Sequence, residues 1–141
     1  SIYETLKACF EYIKNKKIKF DYVYLIDTSS PFISEDDISN SFNILDFFKL
    51  DKVISVIKQT SNFYIHNGKG LKQINDDSYL RLERNEIYKE VGGITIYNKK
   101  KMFFKNHKTG HILCDQNRSF QVKDEKDFLY AKILNKKINI F

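Results

Sequence analysis

Asp27, Thr28, Ser29 and Ser30 place one carboxylate and three hydroxyls in consecutive positions. They follow the apolar run Tyr22-Val23-Tyr24-Leu25-Ile26 directly and precede Pro31, the chain's one proline. Such a group can hold the polar atoms of a ligand. An abrupt change from a β-rich run to a polar loop marks the carboxyl end of a strand, where open α/β sheets bind their ligands. The same residues also suit a plain turn whose side chains hydrogen-bond their own backbone. A second polar group, Lys89-Glu90, stands just ahead of the pair Gly92-Gly93. Lys89 on its own reads as a solvated charge. His66, His107 and His111 are dispersed and point to no catalytic or metal role, and no Ser-His-Asp or Cys-His arrangement emerges. Cys9 and Cys114 lack metal-ligand spacing and read as buried free thiols in a reducing cytosol.

The elements that must position these groups follow from periodicity. Tyr3, Leu6, Phe10 and Ile13 have helical spacing, which predicts an amphipathic helix through about Asn15. Residues 21–26 read as a strand covered on both faces, as in a parallel sheet. Ser34 caps the next helix, with acids at 35–37 in its first turn and a buried stripe of Ile38, Phe42, Leu45 and Phe48. Lys52 to Ile57 is a second strand, so the order is helix, strand, helix, strand, the pattern of βαβ units. Asn67-Gly68 between Asn62–His66 and Gly70–Ile74 signals a hairpin. The polar segment from Asn75 to Lys89, with Arg81 and Arg84, reads as an excursion from the main sheet or as a solvated loop. Val91 to Tyr97 is a strand, and Asn98 is expected to cap a short helix through about Phe104. His111–Cys114 and Ser119–Val122 read as short strands. Asp124, with Asp127 three residues later, opens a final helix that buries Phe128, Ala131 and Leu134.

At 141 residues, with 42% hydrophobic and 15% aromatic content, the chain is a single ordered domain with a core of its own. No apolar run approaches the roughly 20 residues needed to cross a bilayer, and no signal peptide is seen, so no membrane partner is expected. The net charge is +6, but the lysines are spread along the chain and no nucleic-acid motif accompanies them. A compositional lysine bias is therefore the reading, with no nucleic-acid partner. The basic surface also suits anionic sugars or nucleotides. The chain starts at Ser1 without a Met, and helical periodicity begins at once, so it reads as cut from something longer.

Three blocks of this sequence, in order, carry a resemblance. The first is Tyr24 through Pro31 with Glu35-Asp36-Asp37-Ile38. The second is Tyr88-Lys89-Glu90-Val91-Gly92-Gly93-Ile94 within Arg84–Tyr97. The third is Gln121-Val122-Lys123-Asp124-Glu125-Lys126-Asp127-Phe128. Together they resemble the acylneuraminate cytidylyltransferase family, the CMP-sialic acid synthetases and their relatives. In that family an apolar strand leads into a Gln-Pro-Thr-Ser-Pro loop, a Tyr-Arg-Glu-Asn-Gly-Ala segment follows, and Asp-Ile-Asp precedes the last helix. The family glutamine falls on Asp27, the Thr-Ser pair on Ser29 and Ser30, the arginine on Lys89, and the metal aspartates on Gln121 and Lys123.

The resemblance implies an α/β, Rossmann-like nucleotidyltransferase fold with a mostly parallel sheet, helices on both sides and a β-hairpin excursion. Residues 1–141 would be the C-terminal part of that domain, without the phosphate loop. Residues 58–90 would pair two subunits in a homodimer. The implied activity is transfer of CMP from CTP to a sialic-acid-like nonulosonic acid in the cytoplasm, with Asp27, Ser29, Ser30 and Lys89 binding substrate. Mg²⁺ is expected for the family. It is not expected on this chain, because a neutral amide and an ammonium replace the two carboxylates. Two alternatives follow: a non-catalytic module that binds sugar or protein or dimerises, or a related sugar nucleotidyltransferase with a relocated metal site.

Overall fold

The computed structural model describes residues 2–74 and 86–138. Helix α1 (Ile2–Asn15) leads into strand β1 (Tyr22–Ile26), helix α2 (Glu35–Phe47) and strand β2 (Lys52–Gln59). The hairpin strands β3 (Tyr64–His66) and β4 (Leu71–Gln73) come next. Strand β5 (Ile87–Asn98), strand β6 (Thr109–Leu113) and helix α3 (Glu125–Ile138) complete the order.

The main sheet has the order β1-β5-β2-β6. Strands β2 and β6 are parallel, whereas β5 runs antiparallel to both β1 and β2. The sheet is therefore mixed, and this corrects the expectation of a mostly parallel one. Strands β1, β2 and β6 do share one direction, and α2 makes the crossover from β1 to β2. What the apolar run of β5 could not reveal is its direction: the long strand returns from the hairpin region and inserts between β1 and β2. Consequently, among the described residues, β1 is an edge strand, and it is half-buried along most of its length rather than covered on both faces.

Helix α2 forms where expected. The Asp37 N–H donates to Ser34 Oγ at 3.2 Å and the Ser34 N–H donates to Asp37 Oδ2 at 3.0 Å, a reciprocal capping box. Its buried face keeps Leu45 of the expected stripe and is otherwise rotated from it. Asp37, Ser41 and Leu45 are buried, while Phe42 and Phe48 are exposed. The shift follows from α2 lying across β2, β5 and β6, so that Leu45 meets Val53, Ile96 and Ile112 in the core. Tyr24 adds a tie between β1 and α2, its hydroxyl donating to Ile38 O at 3.1 Å. Among the described residues, α2 is the helix that packs across the sheet. Helix α1 instead lies along the margin, where Leu6, Phe10 and Ile13 border a cleft of about 330 Å³ against Tyr22, Val23 and Tyr24. Helix α3 buries Ala131 toward Pro31, Phe32 and Val122, while Phe128, expected inside, stays exposed at the rim of the cleft between them.

Two short elements differ from expectation. Residues 99–103 are turns and not a helix, because the Asn98 side chain accepts from the Lys100 N–H at 3.0 Å and closes a local Asx turn. Ser119–Val122 is turn and loop rather than strand, since its Val122 N–H is spent on Ser29 O at 2.8 Å. The final helix is capped by Asp124, whose Oδ1 accepts from the Asp127 N–H at 2.9 Å. The hairpin forms as read, with Tyr64 opposite Gln73 and His66 opposite Leu71, and its Tyr64, Ile65 and Leu71 are exposed. Arg81 and Arg84 lie outside the described residues. Cys9 is exposed and Cys114 half-buried, both free, so the expectation of two buried thiols fails: α1 turns Cys9 outward.

Strand β5 carries a bulge that matters for the site. Ile54 of β2 faces Thr95, but Val56 faces Glu90, so residues 91–94 oppose Ser55 alone. The Ser55 hydroxyl repairs this gap by donating to Ile94 O and accepting from Ile94 N–H, both at 2.9 Å. Gly93 takes a φ of 146° beside it, and a Cβ there would lie 3.3 Å from Ser55 Oγ. Ser55 is 2% exposed, so Ser55→Ala strands a buried donor and acceptor. A loss of about 1–3 kcal/mol in a urea titration is the expected result.

Candidate functional site

The directions of β1 and β6 bring their carboxyl ends to one end of the sheet, where residues 27–34 and 114–124 meet. Asp27 continues the ladder beyond β1, its N–H donating to Gly93 O at 2.9 Å. The Asp27 side chain then turns back. Its Oδ1 accepts from the Ser29 N–H at 2.9 Å, and its Oδ2 accepts from Gln121 Nε2 at 3.1 Å. Ser29, through its N–H first, holds the Asp27 carboxyl below its usual value, with burial opposing and the Gln121 amide adding to the effect. The plain-turn reading of the loop is seen directly. The loop is a turn bonded to its own backbone, and one carboxylate oxygen reaches across to a second loop.

The pair rests on Gly92. A Cβ at this position would overlap Gln121 Nε2 and lie 2.5 Å from Asp27 Oδ2. The missing side chain is what lets the carboxylate and the amide lie against the β5 backbone.

The loop that presents Gln121 is tied down by Arg118. Arg118 Nη1 donates to Asp37 Oδ1 at 2.5 Å, and its Nε donates to Asp115 Oδ2 at 3.0 Å. The Arg118 N–H donates to Asp115 Oδ1 at 2.8 Å, and with the guanidinium it keeps the Asp115 carboxyl below its ordinary range. Asp37 is 4% exposed, and its other oxygen takes the Ser34 N–H and hydroxyl. One buried carboxylate therefore caps α2 and anchors the β6–α3 loop. Burial, and then the charge of Asp37, push the neighbouring Cys114 thiol up, so it is a poor nucleophile.

Of the residues singled out in the sequence, the fold brings Asp27 and Ser29 together at the surface. Ser30 lies beneath them at 6% exposure, its hydroxyl sealed from solvent and unpartnered among the described residues. Lys89 is elsewhere: it faces Ile57 near the start of β5, roughly 10 Å or more from Asp27 at the usual rise per residue. His66 accepts from the Gly68 N–H within the hairpin turn, His107 bonds Lys101 O, and the His111 ring stacks 4.8 Å from Tyr88. Tyr88 in turn donates to Glu86, which pairs with Lys58 in an exposed cluster away from Asp27. Sequence reasoning passed over Gln121 as a partner of Asp27, over Arg118, and over the reason for Gly92. Only the glycine pair left a signal.

The donor set suits hydroxyls better than a divalent cation. The Asp27 oxygens already accept hydrogen bonds, Gln121 turns its amide nitrogen to the site, and Lys123 has no lone pair to give. Among the described residues, no three His, Cys, Asp or Glu side chains gather in a way that could hold a metal ion. No described helix is long and apolar enough to cross a membrane.

No family model matches this chain, and no curated protein matches it. Among solved structures it is similar to the 4-diphosphocytidyl-2C-methyl-D-erythritol synthase from Anaerococcus prevotii DSM 20548, with a TM-score of 0.66 at 16% identity. The match covers 91% of this chain, and the chain spans 64% of the length of that synthase. The likeness is one of fold: this chain shares the α/β fold of that synthase, built on a mixed sheet.

Proposed function

We propose that this chain forms the acceptor side of a cytidylyltransferase centre. In that reaction a sugar hydroxyl attacks the α-phosphorus of CTP, pyrophosphate leaves, and the hydroxyl proton passes to solvent. The acceptor class named by the sequence resemblance is a sialic-acid-like nonulosonic acid, and the setting is cytoplasmic. The observation that carries the reading is the Asp27–Gln121 pair, standing over Gly92 where two parallel strands end in a nucleotidyltransferase-like fold. The carboxyl ends of parallel strands are where open α/β sheets hold ligands, which supports the reading.

Residues 1–30 contain no glycine to build a phosphate loop, so the chain is proposed to bind acceptor without transferring the cytidylyl group unaided. Its donor set does not fit Mg²⁺, since an amide and an ammonium stand where two carboxylates would hold the ion. The exposed hairpin is proposed as the contact of a homodimer.

Two-dimensional NMR of the full chain tests the reading. N-acetylneuraminate and simple sugars are expected to shift the amides of Ser29, Gly92 and Gln121, while CTP with Mg²⁺ leaves them unmoved and releases no pyrophosphate. Silence toward every sugar overturns the acceptor assignment, and a micromolar CTP affinity overturns the division of labour.

A second reading is a non-catalytic binding module. The observation in its favour is the occupation of the third block's acidic positions by Gln121 and Lys123. Turnover by a longer polypeptide that includes this chain would exclude it.

A further inference from the structure

We infer that the basic cleft at the end of α1 binds a free fatty acid, its carboxylate among lysines and its acyl chain along an apolar wall. This cleft is independent of the acceptor site proposed above. It lies ahead of β1, whereas Asp27 follows β1, about 15 Å or more away at the usual rise per residue.

Three segments build the cleft, which has a volume of about 580 Å³. Phe10 comes from α1, Ile18 and Phe20 from the connection to β1, and Lys99 from the turn after β5. The Lys99 N–H donates to Asp21 O at 2.9 Å and holds the last two segments together. Phe10 and Phe20 meet edge to face with their centroids 5.2 Å apart, and Ile18 is 57% exposed. A space of this size against such a wall suits a small molecule. The neighbouring cleft of about 330 Å³ shares Phe10, Ile18 and Phe20, so apolar surface continues from one to the other.

Charge and ring geometry select the ligand. Lys14, Lys17, Lys19 and Lys99 line the cleft against one acid, Glu11. Among the described residues, none of these four ammonium groups is paired with a carboxylate. Lys14 and Lys17 also offset the carbonyl end of α1, but Lys19 and Lys99 lie off the helix and have no such task. Lys17 has a φ of 56°, its N–H on Lys14 O at 2.9 Å and the next N–H, of Ile18, on Ile13 O at 3.2 Å. Glycine is usual at such a helix end, and a lysine there is strained. The Lys99 ammonium lies 4.0 Å from the centre of the Phe20 ring and takes one of its faces. Little ring face remains for stacking, so an aliphatic chain against ring edges, Ile18 and lysine stems fits better than an aromatic ligand. A second copy of this face would set lysines against lysines.

Two-dimensional NMR of the full chain with monomeric decanoate tests the inference. The amides of Lys17, Ile18, Phe20 and Lys99 are expected to shift, and those of Ser29 and Gly92 to stay. Hexanoate, with a shorter chain, is expected to bind at least about tenfold more weakly. Decyltrimethylammonium carries the same chain with the opposite charge and is expected not to bind. Lys17→Gly relieves the backbone and removes one cation. Thermal stability is expected to hold or rise, while decanoate affinity falls about three- to fivefold, the size of one unit-charge attraction at a few ångströms in water. Lys19→Met is expected to weaken binding by a similar factor. A lysine with a purely structural role would leave the affinity unchanged, and that result overturns the inference, as does equal binding of the ammonium probe. Sedimentation with phosphatidylglycerol vesicles, without binding of decanoate, assigns the cleft to a membrane surface. Amides that move on dilution of the chain alone assign it to a second copy. Either outcome overturns the fatty-acid assignment. If decanoate leaves these amides unmoved the inference falls, and the acceptor reading still stands or falls by its own sugar titration.

Discussion

Arg118→Met is expected to destabilise the chain by about 2–3 kcal/mol. The reason is what it leaves behind. Asp37 is 4% exposed, and without the guanidinium its Oδ1 becomes an uncompensated charge beneath α2. Removing one partner of a buried pair commonly costs about 3–5 kcal/mol. The Arg118 side chain is 35% exposed, so water can partly replace it and the lower end applies. Against a total stability of about 5–15 kcal/mol this is a large share. Urea titration measures it. The double variant Asp37→Asn, Arg118→Met is expected to recover much of the loss, because the buried charge has gone. A single variant within about 0.5 kcal/mol of the parent would show that the pair does not anchor the loop.

Gly92→Ala should behave in the opposite way, with stability kept and ligand binding lost. The added Cβ meets the far ends of two side chains, Gln121 Nε2 and Asp27 Oδ2, which can swing aside. No backbone clash follows, and alanine in a strand relieves about 0.5–1 kcal/mol of the entropy that glycine loses on folding. The Asp27–Gln121 hydrogen bond cannot survive in its present place. The affinity for N-acetylneuraminate or a simple sugar is expected to fall by at least about tenfold, equal to about 1.4 kcal/mol. The pairing of a thermal melt with an NMR titration separates the two effects. Unchanged binding in Gly92→Ala would mean that the ligand does not sit over β5.

Local chemistry was legible in the sequence, and long-range pairing was not. Ser34 and Asp37 announced their capping box because both partners lie within one turn, and Asn67-Gly68 announced its hairpin for the same reason. Asn98 was misread: an Asx turn and a helix cap begin with the same side-chain acceptor, and only the residues that follow decide between them. The stripe of α2 was misplaced because a buried Asp37 and Ser41 break the apolar pattern, and Asp37 is tolerable inside only because Arg118 comes to it from 81 residues away. The direction of β5 leaves no trace in its apolar run, since a strand reads alike from either end. Asp27 and Ser29 were visible as a polar group after a strand. Gln121 reaches Asp27 across 94 residues, a pairing no local pattern reports.

The placement of β5 also sets the order in which the chain can fold. Strand β1 is made early, yet its described partner in the sheet is β5, Tyr22 facing Asn98 and Ile26 facing Ile94. Strand β2 waits on the same segment. Contacts so distant in sequence make for slow folding, on the order of milliseconds to seconds, because the loop must close before any pairing repays it. Until Ile87–Asn98 arrives, β1 and β2 are separate strands with a vacancy between them. Asp27 then has no Gly93 carbonyl to pair with and no Gly92 to lie against, so the site comes into being in the same step that closes the sheet.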